Sequence, residues 1–555
     1  MKPQPFVSTC YLLIIVLMLT GCYGCWRKPE LQTVNPTKYL ETQENQPAEI
    51  WELIRIKGDV AGYRHTVIER MTEEGETVYK VSQEDVISAN RLGEQSTGYI
   101  ETVVLQKRDG TFLFGNNTIL FGTNSVESIS GQPMVTIFQP DKNSGKMKRT
   151  AGTWAVNSET GEDEPNIDPS EKTMSWKPET LGPFGKQFSL WNKPLVPGET
   201  RTIEYFDLML EQMGTVELTA GKVEPLLYNN IEINLLPIAE TTRIGEFTIT
   251  SQLWMDTNGN IVRTILTESF PMEIALSTKE KVKSAFENAG NVNLNLYALV
   301  RVQGAIPQPR TTQKVEFRLH RISRNGQNAP TSSPGFATLF PTTAFQTVKV
   351  VDGNTLDVTV TASSPEALNA LYSSVVPPAP KEATVPDDLQ RNEWIQSDTG
   401  SIIKLADAAT SNTFSLWDAA VDLEHFVSQQ MQTNKKYSFA SAAEVAETLQ
   451  GDSAGYAVLL AAIARVKNIP SRVVVGLVYT NTNTTEGVLV PHFWTELYID
   501  GHWHPFDATQ GRGGADASRI VLARSNLADE SLPALAAKTL PLLGQMYVTI
   551  GGAGD

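Results

Sequence analysis

The chain has 555 residues, enough for two to four domains and for more than one sizeable core. It carries 46 Lys and Arg against 62 Asp and Glu, a formal net charge of −16 that argues against a nucleic-acid partner. The three cysteines, Cys10, Cys22 and Cys25, all lie near the N-terminus, so the body of the protein has no thiol for catalysis, disulfides or zinc.

The N-terminus has the pattern of an export signal. Lys2 precedes an apolar run over residues 11–19 that is too short for an ordinary membrane span. The run leads into Leu-Thr-Gly-Cys, which resembles the lipobox of bacterial lipoproteins, where cleavage leaves the cysteine diacylated. The resemblance predicts a signal peptide over residues 1–21 and a lipid anchor on Cys22. A plain secretory signal is the alternative.

The residue after the cysteine bears on location. It is Tyr23 rather than the aspartate that retains some lipoproteins in the inner membrane. We therefore expect a protein of the cell envelope whose body lies outside the cytoplasm, anchored to the outer rather than the inner membrane.

The next part of the chain changes from a tether to a β pattern. Residues 22–46 are polar and predict a tether between the membrane and the body. Short apolar and β-branched runs begin at Trp51, and the stretches RDGT and TNGN have the composition of hairpin turns. We expect a predominantly antiparallel β domain over residues 47–290, with a polar, turn-rich insertion near residues 141–183.

Further strands are predicted before the pattern becomes helical. A β segment over residues 291–365 includes the alternating stretches NVNLNLYALVRV and TVKVVDGNTLDVTVTA. Residues 366–390, with VVPPAPKEATVPDD, predict a proline-rich linker. Residues 391–550 then mix helices and strands, which indicates an α+β domain.

Ser453 lies in the stretch GDSAG, which fits the GxSxG pattern of serine hydrolases. That motif needs a strand before the serine, whereas the residues before Ser453 have helical spacing and a capping-box pair, Ser441 and Glu444. Another helix, with Tyr456 and Ile463 on its apolar face, follows. We therefore place Ser453 at a helix N-terminus, where the helix dipole favours negative charge.

The stretch HFWTELYIDGHWHPFDAT predicts a hairpin around the turn Asp500-Gly501. Its register brings His492 and Asp507 to one face, with Cα atoms about 7–8 Å apart, within reach of a hydrogen bond. His502 and His504 fall on the opposite face, which makes a zinc site of all three histidines improbable. No phosphate loop, EF-hand pattern or metal-ligand motif occurs, so the sequence implies no cofactor.

The order of these motifs resembles the bacterial transglutaminase-like superfamily, which has papain-like topology. In that family the helix begins at a GDC motif, and a strand carries the histidine of an HxW motif. An aspartate follows a GxWxPxD-like stretch. The resemblance implies that His492 is the family histidine and Asp507 the family aspartate, with Ser453 in the place of the cysteine. It is specific over residues 440–510 and looser from about 390 to 550.

The serine decides between the functions that the resemblance implies. A thiol ionises beside a protonated histidine, whereas a hydroxyl must lose its proton during attack. Gly455 and Tyr456 also depart from the residues of many relatives. We expect a binding or structural module, with a protein or peptide as its ligand, that lacks cysteine-type acyl transfer. A serine-type amide or ester hydrolase, or a protease, that uses Ser453, His492 and Asp507 is the alternative, and a purely structural role of these three residues is a third interpretation.

Overall fold

The protein is described here from a computed structural model. The described residues are 47–73, 75–91, 94–122, 134–141, 143–156, 163–165, 170–228, 231–245, 247–266, 272–287, 299–322, 336–363, 383–409, 415–434, 439–481, 487–539, 542 and 545–554. They form two compact units whose described parts are residues 47–287 and 299–554.

The first unit is built on one sheet of antiparallel strands. In chain order the strands are β1 (Ala48–Ile56), β2 (Asp59–Glu73), β3 (Glu76–Arg91), β4 (Glu94–Lys107), β5 (Phe112–Gly122), β6 (Met134–Asp141), β7 (Lys146–Val156), β8 (Asp163–Pro165), β9 (Ser170–Ser175), β10 (Thr200–Asp207), β11 (Gln212–Ala220), β12 (Glu224–Tyr228), β13 (Ile231–Ile244), β14 (Phe247–Met255), β15 (Ile261–Leu266) and β16 (Met272–Ser277). The order across the sheet is β10-β11-β13-β14-β15-β16-β1-β2-β3-β4-β5-β6-β7-β8, with β12 beside β13 and β9 beside β7.

The predicted β character of this region is confirmed, and both predicted turns are present. Gly110 in RDGT has φ +92° between β4 and β5, and Gly259 in TNGN has φ +84° between β14 and β15. A left-handed backbone of this kind suits glycine, which has no Cβ.

The stretch near residues 141–183, for which the sequence predicts a polar insertion, contains strands in its described part. β7 and β9 lie within it and pair with each other, and β7 also pairs with β6. One inward position of β7 holds Arg149, whose Nε donates to Glu211 Oε1 at 3.0 Å. Arg149 is buried and Glu211 is half-buried, so a charged residue stands where a strand pattern predicts an apolar one.

Two helices cover parts of this sheet, α1 (Gly185–Asn192) and α2 (Lys279–Glu287). Phe188 and Trp191 of α1 belong to an aromatic core cluster of the sheet, and Val282 of α2 packs against Trp51 and Leu53. Apolar burial of this size, roughly 1.5–3 kcal/mol per large side chain, holds the helices to the sheet.

Charged side chains also lie inside the first unit. Glu52, Arg64 and Asp85 are opposite one another on β1, β2 and β3, and all three are buried. Arg64 Nε donates to Asp85 Oδ1 at 2.6 Å, and Lys186 Nζ contacts Glu240 Oε1 at 2.5 Å. The two cations therefore already have partners, and burial raises the pKa of Glu52 to about 8 even though Arg64 opposes the shift.

The second unit combines one large sheet with helices. Its strands are β17 (Val300–Gln303), β18 (Lys314–Arg321), β19 (Gln346–Asp352), β20 (Thr355–Thr361), β21 (Gln432–Thr433), β22 (Gln450–Gly451), β23 (Ser471–Asn481), β24 (Gly487–Ile499), β25 (His502–Phe506), β26 (Arg519–Ser525) and β27 (Met546–Gly554). Its α-helices are α3 (Gly400–Ala409), α4 (Leu416–Gln430), α5 (Ala442–Thr448), α6 (Ser453–Val466) and α7 (Leu532–Ala537).

The sheet order is β19-β20-β18-β27-β17-β24-β23-β26, with β25 beside β24. The segment 291–365 is therefore not a separate β element, because β17 and β18 both pair with β27 and β17 also pairs with β24. The end of the predicted linker is also held by this unit, since Arg465 Nη1 donates to the carbonyl oxygen of Gln390 at 2.5 Å.

Helix α6 lies in the interior of the second unit. Every residue from Ser453 to Arg465 is buried, because α6 contacts α3, α4, α5, β23 and β24. The sequence predicts a single apolar face for this helix, but residues on all of its faces are buried. Within the described residues, no helix has the length and apolar composition needed to cross a membrane.

Candidate functional site

Ser453 is the first residue of α6, as the sequence predicts. The preceding Asp452 caps the helix, and its Oδ1 accepts from the N–H of Ala454 at 3.0 Å and of Gly455 at 3.3 Å. Ser453 Oγ accepts from the backbone N–H of Phe493 at 3.3 Å. The hydroxyl is therefore tied to β24 at the residue after His492.

This contact exists because β25 ends early. The predicted hairpin register is confirmed, with Glu496 opposite Pro505 and Asp500 and Gly501 at φ +52° and +93° in the turn. Continuing that register would place residue 508 opposite Phe493, but β25 stops at Phe506. The amide of Phe493 lies beyond the last strand pair, where Ser453 supplies its acceptor.

His492 and Asp507 are in contact, as the hairpin predicts. His492 Nε2 lies 2.9 Å from Asp507 Oδ2, and both side chains are buried. A carboxylate accepts from Nε2–H, which leaves Nδ1 as the acceptor nitrogen of the neutral imidazole. Nδ1 is buried, and in the part of the chain that the structure describes it has no hydrogen-bond partner.

The three predicted site residues thus come together in one place but are not joined in one chain of hydrogen bonds. Among the described residues, Ser453 Oγ bonds to the Phe493 amide and no hydrogen bond joins it to His492. Cys22, the predicted lipidation site, lies outside the described residues.

Asp507 is the most heavily bonded group of the site. Its Oδ2 also accepts from Arg519 Nη1 at 3.0 Å, and its Oδ1 accepts from Thr509 N at 3.1 Å and Thr509 Oγ1 at 2.6 Å. Burial favours the neutral acid, but the interactions with His492 and Arg519 outweigh burial and hold the pKa of Asp507 well below its usual range. Asp507 is therefore an ionised carboxylate.

Arg519 was missed by sequence analysis. It is buried on β26, with Nη2 2.8 Å from Asp516 Oδ2 and its guanidinium 5.3 Å from the ring centre of Trp494. Burial disfavours its charge, but Asp516 and Asp507 more than compensate and raise its pKa. No local pattern marks Arg519, because it reaches the site through the pairing of β26 with β23.

Glu424 of α4 was also missed. It is fully buried, and its carboxylate accepts from the backbone N–H of Asp507 at 3.0 Å and of Gly514 at 3.2 Å. Burial raises the pKa of Glu424 to about 8, while the N–H of Gly513 opposes the shift and the charge of Asp507 adds to it. A charged residue on a helix ordinarily predicts a solvent-facing position, so no local pattern marks Glu424 as buried.

A glycine shapes the strand next to His492. Gly476 of β23 pairs with His492, and a Cβ there would lie 2.1 Å from Ile520 O and 2.4 Å from the Trp494 ring. The absence of a side chain at Gly476 leaves room for the Trp494 ring, and the Arg519 guanidinium lies over that ring.

The remaining histidines of the hairpin belong to the packing. His502 and His504 pair with Ile499 and Leu497, as predicted. The ring centres of His504 and Trp417 lie 5.3 Å apart with nearly perpendicular planes, and burial, with the charge of His502, lowers the pKa of His504 to about 4. The part of the chain that the structure describes contains no group of three or more His, Cys, Asp or Glu arranged to hold a metal ion.

Helix α6 begins at the candidate nucleophile and faces a histidine–aspartate pair on a hairpin. This is the arrangement that the resemblance implied. Residues 403–508 match the family model described as the transglutaminase-like superfamily. The C-terminal part of the chain therefore contains a transglutaminase-like domain, and Ser453, His492 and Asp507 all fall within the match. No curated protein matches the chain.

Solved structures are similar to parts of the chain. A candidate cysteine protease from Cytophaga hutchinsonii is 15% identical over 44% of this chain and 88% of its own, with a TM-score of 0.25. A β-barrel-like protein from Brucella abortus is 12% identical over 42% of this chain and 98% of its own, with a TM-score of 0.28. A candidate protease from Parabacteroides distasonis is 10% identical over 76% of this chain and 66% of its own, with a TM-score of 0.17.

Proposed function

We propose that this protein is a transglutaminase-like module of the bacterial cell envelope that lacks cysteine-type acyl transfer. Its role is binding or structural, with a protein or peptide as its ligand. The observation that carries the proposal is at Ser453: among the described residues its Oγ accepts from the Phe493 amide at 3.3 Å, and no hydrogen bond joins it to His492. A serine nucleophile needs a base that takes its proton, and a backbone N–H is a donor that cannot do so. Ser453 then completes the packing of α6 on β24.

A second function is favoured by a different observation. His492 keeps its carboxylate partner, and its Nδ1 is buried without a hydrogen-bond partner among the described residues. A neutral imidazole of this tautomer is a competent general base. A small rotation of the Ser453 side chain toward Nδ1 would give a serine-type amide or ester hydrolase.

The two functions are separated by labelling Ser453. In the wild type we expect no reaction with a fluorophosphonate probe, because an unassisted hydroxyl is a poor nucleophile near neutral pH. In a Cys25→Ser background, Ser453→Cys should react with iodoacetamide at neutral pH, because a helix N-terminus and a nearby histidine favour the thiolate. Peptide mass spectrometry locates both labels.

The control is His492→Gln, which keeps a hydrogen-bond donor toward Asp507 but has no basic nitrogen. It should slow alkylation of Cys at position 453 by about tenfold or more. Fluorophosphonate labelling of wild-type Ser453 that disappears in His492→Gln would overturn the proposal and establish the hydrolase.

The envelope location rests on the N-terminal pattern and has its own test. We propose that the mature chain begins at a diacylated Cys22, because an apolar run ends in the lipobox-like Leu-Thr-Gly-Cys. Mass spectrometry of the purified mature protein should find the acyl mass on an N-terminal peptide that starts at Cys22. A free N-terminus at another residue would show a plain secretory signal instead.

A further inference from the structure

The segment that carries Asp507 is a tight loop rather than part of the sheet. Residues 507–514, called here the Asp507 loop, leave β25, and the chain returns where Ala515 N–H donates to Pro505 O at 3.0 Å. Gly511, Gly513 and Gly514 have φ of +57°, +74° and +131°. Such left-handed turns lack the ladder pairing that fixes a strand, so other contacts must hold Asp507 in place.

The carboxylate of Glu424 lies inside this loop and contacts both of its ends. Oε1 accepts from Asp507 N–H at 3.0 Å, while Oε2 accepts from Gly513 N–H at 2.5 Å and Gly514 N–H at 3.2 Å. Successive N–H groups at left-handed residues form a concavity that suits an anion. The loop is thus wrapped around a side chain that comes from α4.

Burying the carboxyl group of Glu424 costs free energy unless hydrogen bonds replace its lost hydration. Glu424 is fully buried beside Ala420 and Leu423 on α4, at a position where an apolar residue would pack without a desolvation penalty. The three N–H donors offset that penalty, and one of them is the amide of Asp507 itself. The contact therefore acts on the backbone of the residue that meets His492.

We propose that Glu424 is a positioning residue of the candidate site, because its carboxylate joins the two ends of the Asp507 loop and so keeps Asp507 Oδ2 against His492 Nε2. The inference rests on the proposed function only in taking the His492–Asp507 pair as the centre of the site. Arg519 and Thr509 fix the Asp507 side chain, and Glu424 fixes its main chain.

The test follows the His492–Asp507 hydrogen bond directly. The chain has six histidines, so selective ¹⁵N-histidine labelling of the full chain gives few imidazole N–H signals, and His492→Gln identifies that of His492. We expect Glu424→Gln to speed the exchange of His492 Nε2–H with water at least tenfold, because the new NH₂ group faces donors at Gly513 and Gly514.

The matched control is Glu444→Gln in the same unit. Glu444 is also buried on a helix, but its carboxylate accepts from Ser441 N–H at 2.6 Å. We expect this change to leave the exchange of the His492 proton within about twofold of the wild type, whatever it does to stability. If the Glu424→Gln protein folds and the exchange at His492 is unchanged, Glu424 has only a structural role and the proposal is overturned.

Two further measurements keep the proposal testable if Glu424→Gln does not fold. Glu424→Asp keeps the carboxyl group but retracts it by one methylene, and it should give an intermediate exchange rate. In the wild type, the His492 proton should not stay protected under conditions in which the amides of Asp507, Gly513 and Gly514 all exchange. Persistent protection would contradict the proposal. Neither readout uses a reactive probe, so a failed labelling experiment on Ser453 leaves it intact.

Discussion

Replacing Asp507 with alanine is expected to lower the unfolding free energy of the second unit by about 3–5 kcal/mol. The carboxylate is buried and accepts four hydrogen bonds, from His492, from Arg519 and twice from Thr509. Its removal takes away one of the two carboxylates that compensate the buried Arg519 and leaves Asp516, and this lost compensation of a buried charge is the largest part of the cost. Urea denaturation followed by hydrogen exchange of the β24 amides measures the loss.

The effect of this variant should depend on pH in a defined direction. The folded-state pKa of Asp507 lies below its unfolded value of about 3.9, so the ionised group stabilises the fold above that pH. The difference between wild type and Asp507→Ala should be full at pH 6–8 and should shrink as the pH falls below about 4, where the carboxylate begins to be protonated in the unfolded chain.

The matched control is Asp357→Ala. Asp357 makes an ion pair with Arg318 at 2.7 Å, but the pair is largely exposed on β18 and β20. Exposed ion pairs contribute about 0–1 kcal/mol, so this control should change stability little. Equal losses in the two variants would show that the Asp507 network contributes no more than a surface pair.

Replacing Glu52 with glutamine is expected to stabilise the first unit by about 2–3 kcal/mol at pH 7. Burial raises the pKa of Glu52 to about 8, and one of its oxygens, Oε2, has no hydrogen-bond partner among the described residues. Among the described residues, Arg64 pairs with Asp85 and Lys186 with Glu240, and no ion pair joins either cation to Glu52. Glutamine has a similar shape and no charge to desolvate.

The sign of the pH dependence follows from the raised pKa. The folded state holds the proton of Glu52 up to about pH 8, whereas the unfolded chain loses it near 4.5. The wild type should therefore lose stability as the pH rises from about 4.5 to 8, by up to roughly 1.4 kcal/mol per pH unit from this group. Glu52→Gln should not show that loss, and its advantage should disappear below about pH 4.5.

Calorimetry of the full chain at several pH values measures this effect. Glu217→Gln is the matched control, because Glu217 lies on β11 of the same sheet with an exposed side chain. Its change should stay within about 0.5 kcal/mol at every pH. A Glu52→Gln protein that is less stable than the wild type at pH 8 would mean that Glu52 is ionised and paired in the fold.

The sequence predicts the elements whose signals are local. Asp500-Gly501 defined the hairpin turn, and the alternation on each side of it brought His492 and Asp507 together. Helix α6 could be placed because its cap and its stop lie within a few residues of it, with Asn468 at φ +58° just beyond its end. Local chemistry of this kind depends on neighbouring residues alone.

The missed features depend on contacts between distant parts of the chain. Arg519 and Glu424 look like surface charges in sequence, and they become part of the site only through strand pairing and helix packing. The strands of residues 291–365 alternate correctly, but nothing in that pattern says that their partner is β27. Likewise the inward strand position of Arg149 looks solvent-facing in the sequence, because its partner Glu211 is far away in the chain.

The place of β27 in the second sheet also affects the order in which this unit can fold. β27 is the last of the described strands, yet it lies between β17 and β18 in the sheet order. Until β27 is in place, the strands made before it form two groups, β18 to β20 and β17 with β23 to β26. Its pairs join residues as distant as Lys314 and Gly554, and such long loops make folding slow. The sheet of the unit that carries Ser453 is therefore completed late in folding, and its two strand groups keep unpaired edges until β27 joins them.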